Sequence, residues 1–141
     1  MKFRRGQYYI GDPCYVMNGE DWSKLLQESD YFTNDQIIFK GYLIWAHATA
    51  HGDGTYFDQS GREYPVDSGT LGIIPVSICD FQSEYNLIDG KIEDIRGLGD
   101  FKFVPGHVVE FADEFEVDYQ DGKFTFGEIE IDIDPEETED E

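Results

Sequence analysis

The sequence predicts a β-rich α+β fold: an antiparallel sheet or partly closed barrel with one packed helix and a C-terminal acidic β-hairpin. Three observations predict it. Helical spacing occurs once, at Trp22, Leu25 and Leu26 (i, i+3, i+4). Most other apolar residues fall in short runs rich in β-branched and aromatic side chains, bounded by Gly, Asp, Asn or Pro. Apolar residues then alternate along the last third, around an Asp121-Gly122 turn. A length of 141 residues suits one domain, expected over 1–134, with a disordered acidic tail at 135–141.

Taken in order, Gln7-Tyr8-Tyr9-Ile10 reads as a strand stopped by Gly11-Asp12-Pro13. Asn18 and Asp21 form a variant capping box for a helix over about 20–30. Gln36 to Ala48 reads as one or two buried strands, interrupted at Gly41. Thr55-Tyr56-Phe57 and Glu63-Tyr64-Pro65-Val66 flank Gln59-Ser60-Gly61 as a hairpin, with Pro65 at an edge or a bulge. Leu71 to Cys79 is another strand, and 86–100 reads as loop.

From Val109 the apolar side chains fall on odd positions: Val109, Phe111, Phe115, Val117 and Tyr119. The Asp121-Gly122 turn pairs Tyr119 with Phe124 and Val117 with Phe126. After Phe126 the phase shifts to Ile129, Ile131 and Ile133. A bulge at Gly127 absorbs that shift and sets Phe115 opposite Ile129 and Phe111 opposite Ile133. Asp113 alone breaks the apolar face, so a strand end, an edge or a hydrogen-bonded carboxylate is expected there.

Charge is the chain's unusual property. Thirty-one acidic residues against ten basic ones give a net of -21. Residues 1–109 carry 16 acidic and 9 basic side chains, whereas 110–141 carry 15 and one, Lys123. Nucleic-acid binding is disfavoured, because phosphate contact needs clustered Lys and Arg. The expected register places Glu110, Glu114, Glu116 and Asp118 on one face, beside Glu128, Glu130, Asp132 and Asp134. Glu114 then lies near Glu130 and Glu110 near Asp134, like charges roughly 5 Å apart. A solvated strand face is one account of this arrangement, since charge also protects edges. The sharper account is a basic protein partner that normally grips nucleic acid, with the hairpin as its decoy or inhibitor. Two strands with same-face residues ~6.8 Å apart give about one charge per ~3.4 Å, nearer the spacing of a single strand than a duplex.

The competing expectation is a small hydrolase-like enzyme with its site around Asp12, Cys14, His47, Asp53 and Asp67. A Cys, a His and an Asp form a nucleophile, base and orienter only when they converge, and nothing local matches a cysteine-enzyme motif. His47 and His51 share zinc-like spacing, but on a strand they lie ~13 Å apart. Asp53 to Asp58 lacks the alternating ligands and closing Glu of a calcium loop. Gly69 and Gly72 make no phosphate loop, because no Lys follows. No metal or other cofactor is expected.

No apolar run approaches the ~20 residues of a membrane span, so no membrane association is expected. The opening Met1-Lys2-Phe3-Arg4-Arg5-Gly6 lacks a secretory apolar stretch, and two cysteines 65 positions apart suggest no disulfide framework. A cytoplasmic location is expected. Tyr9-Ile10-Gly11-Asp12-Pro13-Cys14-Tyr15-Val16 is similar to a signature of small uncharacterised proteins of bacteria and their phages. Gly52-Asp53-Gly54-Thr55-Tyr56 and Tyr64-Pro65-Val66-Asp67-Ser68-Gly69, with Gly72 and Pro75, resemble its second half. The resemblance covers about 7–80 and implies a compact β-rich domain without an established activity.

Overall fold

The computed structural model describes residues 2–17, 19–30, 36–49, 52, 54–79, 85–88, 91–94 and 106–133, with 85–88 and 91–94 described through their backbone. In chain order the elements begin with β1 (Lys2–Phe3), β2 (Gly6–Gly11), the helix α1 (Gly19–Glu28), β3 (Gln36–Phe39) and β4 (Tyr42–Ala48). The middle of the chain forms β5 (Gly54–Asp58), β6 (Glu63–Val66), β7 (Thr70–Pro75), β8 (Tyr85–Ile88) and β9 (Lys91–Asp94). The last four strands are β10 (Gly106–Phe111), β11 (Phe115–Gln120), β12 (Lys123–Phe126) and β13 (Ile129–Asp132).

These strands build two antiparallel sheets. One has the order β1-β11-β12-β13-β5-β6, the other β3-β4-β7-β2-β10-β9-β8. Neither closes into a barrel among the described residues. The alternation of each strand feeds the space between them, where Tyr8, Trp45, Leu71 and Ile73 meet Val117, Phe124, Phe126 and Ile131. The outer face of the seven-stranded sheet is covered by α1, whose Leu25 is buried with Tyr9, Val16, Ile44 and Ile74. Asp21 ties the helix to the β3–β4 turn by accepting from Lys40 Nζ at 2.6 Å. Asn18, the expected cap, lies outside the described residues.

Several expectations hold residue by residue. Tyr119 pairs with Phe124 and Val117 with Phe126 around Asp121-Gly122, both at positive φ (56° and 77°). The β5–β6 hairpin forms, and Pro65 sits on β6, the last strand of its sheet.

Two corrections concern strands. The span 86–100, read as loop, contains the paired strands β8 and β9 on either side of 89–90. The phase shift after Phe126 comes from a turn at Gly127-Glu128, not a bulge. Phe126 pairs with Ile129 and Phe124 with Ile131, so β11, β12 and β13 form a three-stranded meander. Phe115 therefore pairs with Phe3, and Phe111 with Gly6 in the other sheet, instead of with Ile129 and Ile133. The chain changes sheets at 112–114, where Asp113 is exposed in the bend. A two-residue reversal and a one-residue bulge both invert the parity of the apolar pattern, so alternation alone does not separate them.

Candidate functional site

Two stretches far apart in the chain, 9–16 and 64–69, meet at one carboxylate. Asp12 follows β2 and is fully buried. Its Oδ1 accepts from Cys14 N (2.9 Å) and Ser68 Oγ (2.7 Å), and its Oδ2 from the amides of Asp67 and Ser68 (both 2.7 Å). Tyr9 Oη donates to the Asp12 carbonyl at 2.9 Å. The glycines here are set by close approach. A Cβ on Gly11 would stand 2.5 Å from Tyr9 Oη, and one on Gly72 would stand 2.5 Å from the Trp45 carbonyl. The Asp12 contacts thus clamp the end of β2 to the β6–β7 loop.

Asp12, Cys14 and Asp67 are brought together; His47 is not joined to them. The Cys14 thiol is pushed far up by burial and by the Asp12 and Asp67 carboxylates, which keeps it protonated. His47 Nδ1 bonds the Ala48 carbonyl at 2.8 Å, and its ring stacks on Tyr119 at 4.5 Å and on Trp45 at 6.0 Å. Asp53 and His51 lie outside the described residues. Among the described residues no three His, Cys, Asp or Glu side chains converge as metal ligands.

A second buried carboxylate, Asp58, shapes the β5–β6 turn. It accepts from Ser60 N and Oγ, Arg62 N and Nε, and Tyr64 Oη at 2.7–3.0 Å. Burial alone would raise its pKa; the hydrogen bonds from Ser60, Tyr64 and Arg62 outweigh that and hold it well below the usual carboxylate range.

Of the acidic residues, Glu110, Glu114, Glu116, Asp118, Glu128, Glu130 and Asp132 are all exposed, and Asp134 lies outside the described residues. They do not form one two-stranded face. Glu110 is on β10, opposite Gln7. Glu116 and Asp118 on β11 are separated from Glu130 and Asp132 on β13 by β12, about 9.5 Å away, where screening is already strong. Asp118 faces Thr125, which in turn faces Glu130. Glu130 meets Lys123 Nζ at 3.5 Å, an exposed pair. Glu114 and Glu130 are not cross-strand partners: Glu130 pairs with Thr125, and Glu114 sits in the bend between the sheets.

The bend gathers a different set. Glu110, Asp113, Glu114, Glu116 and Glu128 line an open cleft of about 650 Å³, floored by Phe111, Phe115 and Ile129. Among the described residues, its lining includes no Lys, Arg or His. Phe111 and Phe115 stack with centroids 3.7 Å apart and planes 14° apart. Gly127 permits this: a Cβ there would stand 2.9 Å from Phe111 Cε1. The cleft escaped the sequence reading because its lips come from different sheets; Asp113, the misfit in the alternation, was its one visible trace. Compared with known proteins, the chain matches no family model, no curated protein and no solved structure.

Proposed function

We propose that the protein is a cytoplasmic, non-catalytic interaction protein that binds a basic protein surface, acting as a decoy or inhibitor of a nucleic-acid-binding partner. The observation that carries this reading is the cleft at 112–114, where carboxylates of Glu110, Asp113, Glu114 and Glu128 surround an aromatic floor. Such a site suits a guanidinium, which is weakly hydrated, stacks on aromatic faces and donates bidentately to carboxylates. The chain's overall charge of -21 would speed encounter with a cationic partner. The buried, fully bonded Asp12 and the protonated Cys14 fit a structural role better than a hydrolytic one.

The test is titration of the full chain with an arginine-rich octapeptide at about 0.05 and 0.15 M salt. Binding should weaken as salt rises. The exposed substitutions Glu114→Lys and Glu128→Lys should each weaken it by ~10-fold or more, and Glu63→Lys, outside the cleft, by much less. Equal losses from all three variants would reduce the attraction to net charge and sink the cleft as the binding site.

A further inference from the structure

A second cleft, of about 340 Å³, opens beside β1 on the flank where the six-stranded sheet ends. Its wall includes Lys2 and Arg4 on one side and Ile38, Tyr42 and Leu43 of the β3–β4 hairpin on the other. Ile38 is 61 % exposed, the most open of the large apolar side chains among the described residues, and it shares its face with Leu43, whereas Tyr42 pairs with Phe39 on the helix side. Ile38 and Leu43 thus form an apolar ledge of the seven-stranded sheet beside the last strand of its partner sheet.

Three features of that ledge specify what would cover it. The first is an open strand edge. Gly127 N donates to the Glu116 carbonyl, so Glu116 turns its backbone toward β12 and Phe115 turns its own toward β1. Phe3 answers Phe115, and by alternation Lys2 and Arg4 direct their backbone groups away from the sheet. The Arg4 carbonyl accepts from Tyr8 Oη at 2.8 Å, leaving the Lys2 amide and carbonyl and the Arg4 amide outward, without a partner among the described residues. The second is the ledge itself, lying where the inward face of an added strand would rest. The third is charge: Lys2, Arg4 and Arg5 are exposed and have no ion pair among the described residues, unlike Lys40, Arg62 and Lys123.

We infer that this cleft is a strand-docking notch, in which an extended segment of a partner protein, alternating aliphatic and acidic residues, extends the six-stranded sheet beyond β1. The backbone groups supply affinity and the aliphatic positions cover Ile38. The acidic positions meet the three cations, while the remaining carboxylates beyond about 8 Å are screened at physiological salt. A second copy fits less well, because two-fold pairing of β1 would oppose Lys2 and Arg4 to their own equivalents and bring together two chains of charge -21.

The test selects binders to the full chain from a displayed library of random octapeptides at physiological salt, then measures their affinities by fluorescence polarisation. Peptides enriched on the full chain over its Ile38→Asp variant should alternate aliphatic residues with Asp or Glu, whereas basic peptides bound at the acidic cleft should be recovered equally on both. Ile38→Asp and the double substitution Lys2→Glu/Arg4→Glu should each weaken binding by ~10-fold or more. N-methylation of alternate peptide amides should abolish it in one register and spare it in the other. Basic or helical patterning among the Ile38-dependent binders, or no enrichment over the Ile38→Asp variant, would overturn the notch. A wild-type dimer in sedimentation that Ile38→Asp converts to monomer would assign the ledge to a second copy instead.

Discussion

Asp12 commits both carboxylate oxygens to four donors, so the cost of losing it follows from what is left behind. Asp12→Ala would strand two amides of the β6–β7 loop, a serine hydroxyl and the Cys14 amide in a buried site. Unfolding in urea should show a loss on the order of 3–5 kcal/mol, with little recovery in Asp12→Asn, because an amide accepts on one atom only. Asp58 carries a pH signature. Its folded pKa is depressed, so the stability it contributes is present above the unfolded carboxyl value near ~3.9 and is lost as pH falls below it. Asp58→Asn should flatten the acid limb of a stability–pH profile and leave its shape unchanged above about pH 6. Burial pushes the Cys14 and Cys79 thiols up, assisted at Cys14 by Asp12 and Asp67. Alkylation by iodoacetamide at pH 8 should therefore be far slower than for a free thiol; rates matching free cysteine would contradict the placement of both side chains. The sequence marked Asp12 as conspicuous, but its role depends on Ser68, fifty-six residues away, a contact no local pattern encodes.

At the scale of elements, turns carry most of what could be read in advance. Asp121-Gly122 announced its own geometry, and the pairing it fixes is the one observed. Gly122→Val should cost about 1–3 kcal/mol, since a β-branched residue is strained at φ 77°, and Asp121→Asn should be near neutral. Thermal unfolding of the two variants checks both. The helix was legible from three residues, because an amphipathic face at period 3.6 resembles nothing else in the chain. The meander and the sheet change were not. Val109, Phe111, Phe115 and Val117 all point into the core shared by both sheets, so odd-position alternation resumes in the same phase after Asp113 although the chain has passed from one sheet to the other. Periodicity reports which side the core is on, not which strand lies alongside. The strands β8 and β9 were hidden for another reason: Asn86, Lys91 and Glu93 dilute their apolar character to that of a loop.

For the molecule as a whole, the charge of -21 works against compactness, and salt relieves it. Raising sodium chloride from about 0.05 to 1 M should lift Tm by roughly 3–6 °C while weakening capture of the arginine-rich peptide. Opposite responses of stability and binding to one variable are expected only where the same carboxylates cause both. The acidic cleft also has lips of different parentage, Glu110 from one sheet and Glu116 with Glu128 from the other. A cationic guest gripped by both would act as a rivet across the sandwich. Prising the layers apart would first require expelling the guest, so occupancy should register as resistance to mechanical or thermal opening, growing with the logarithm of ligand concentration.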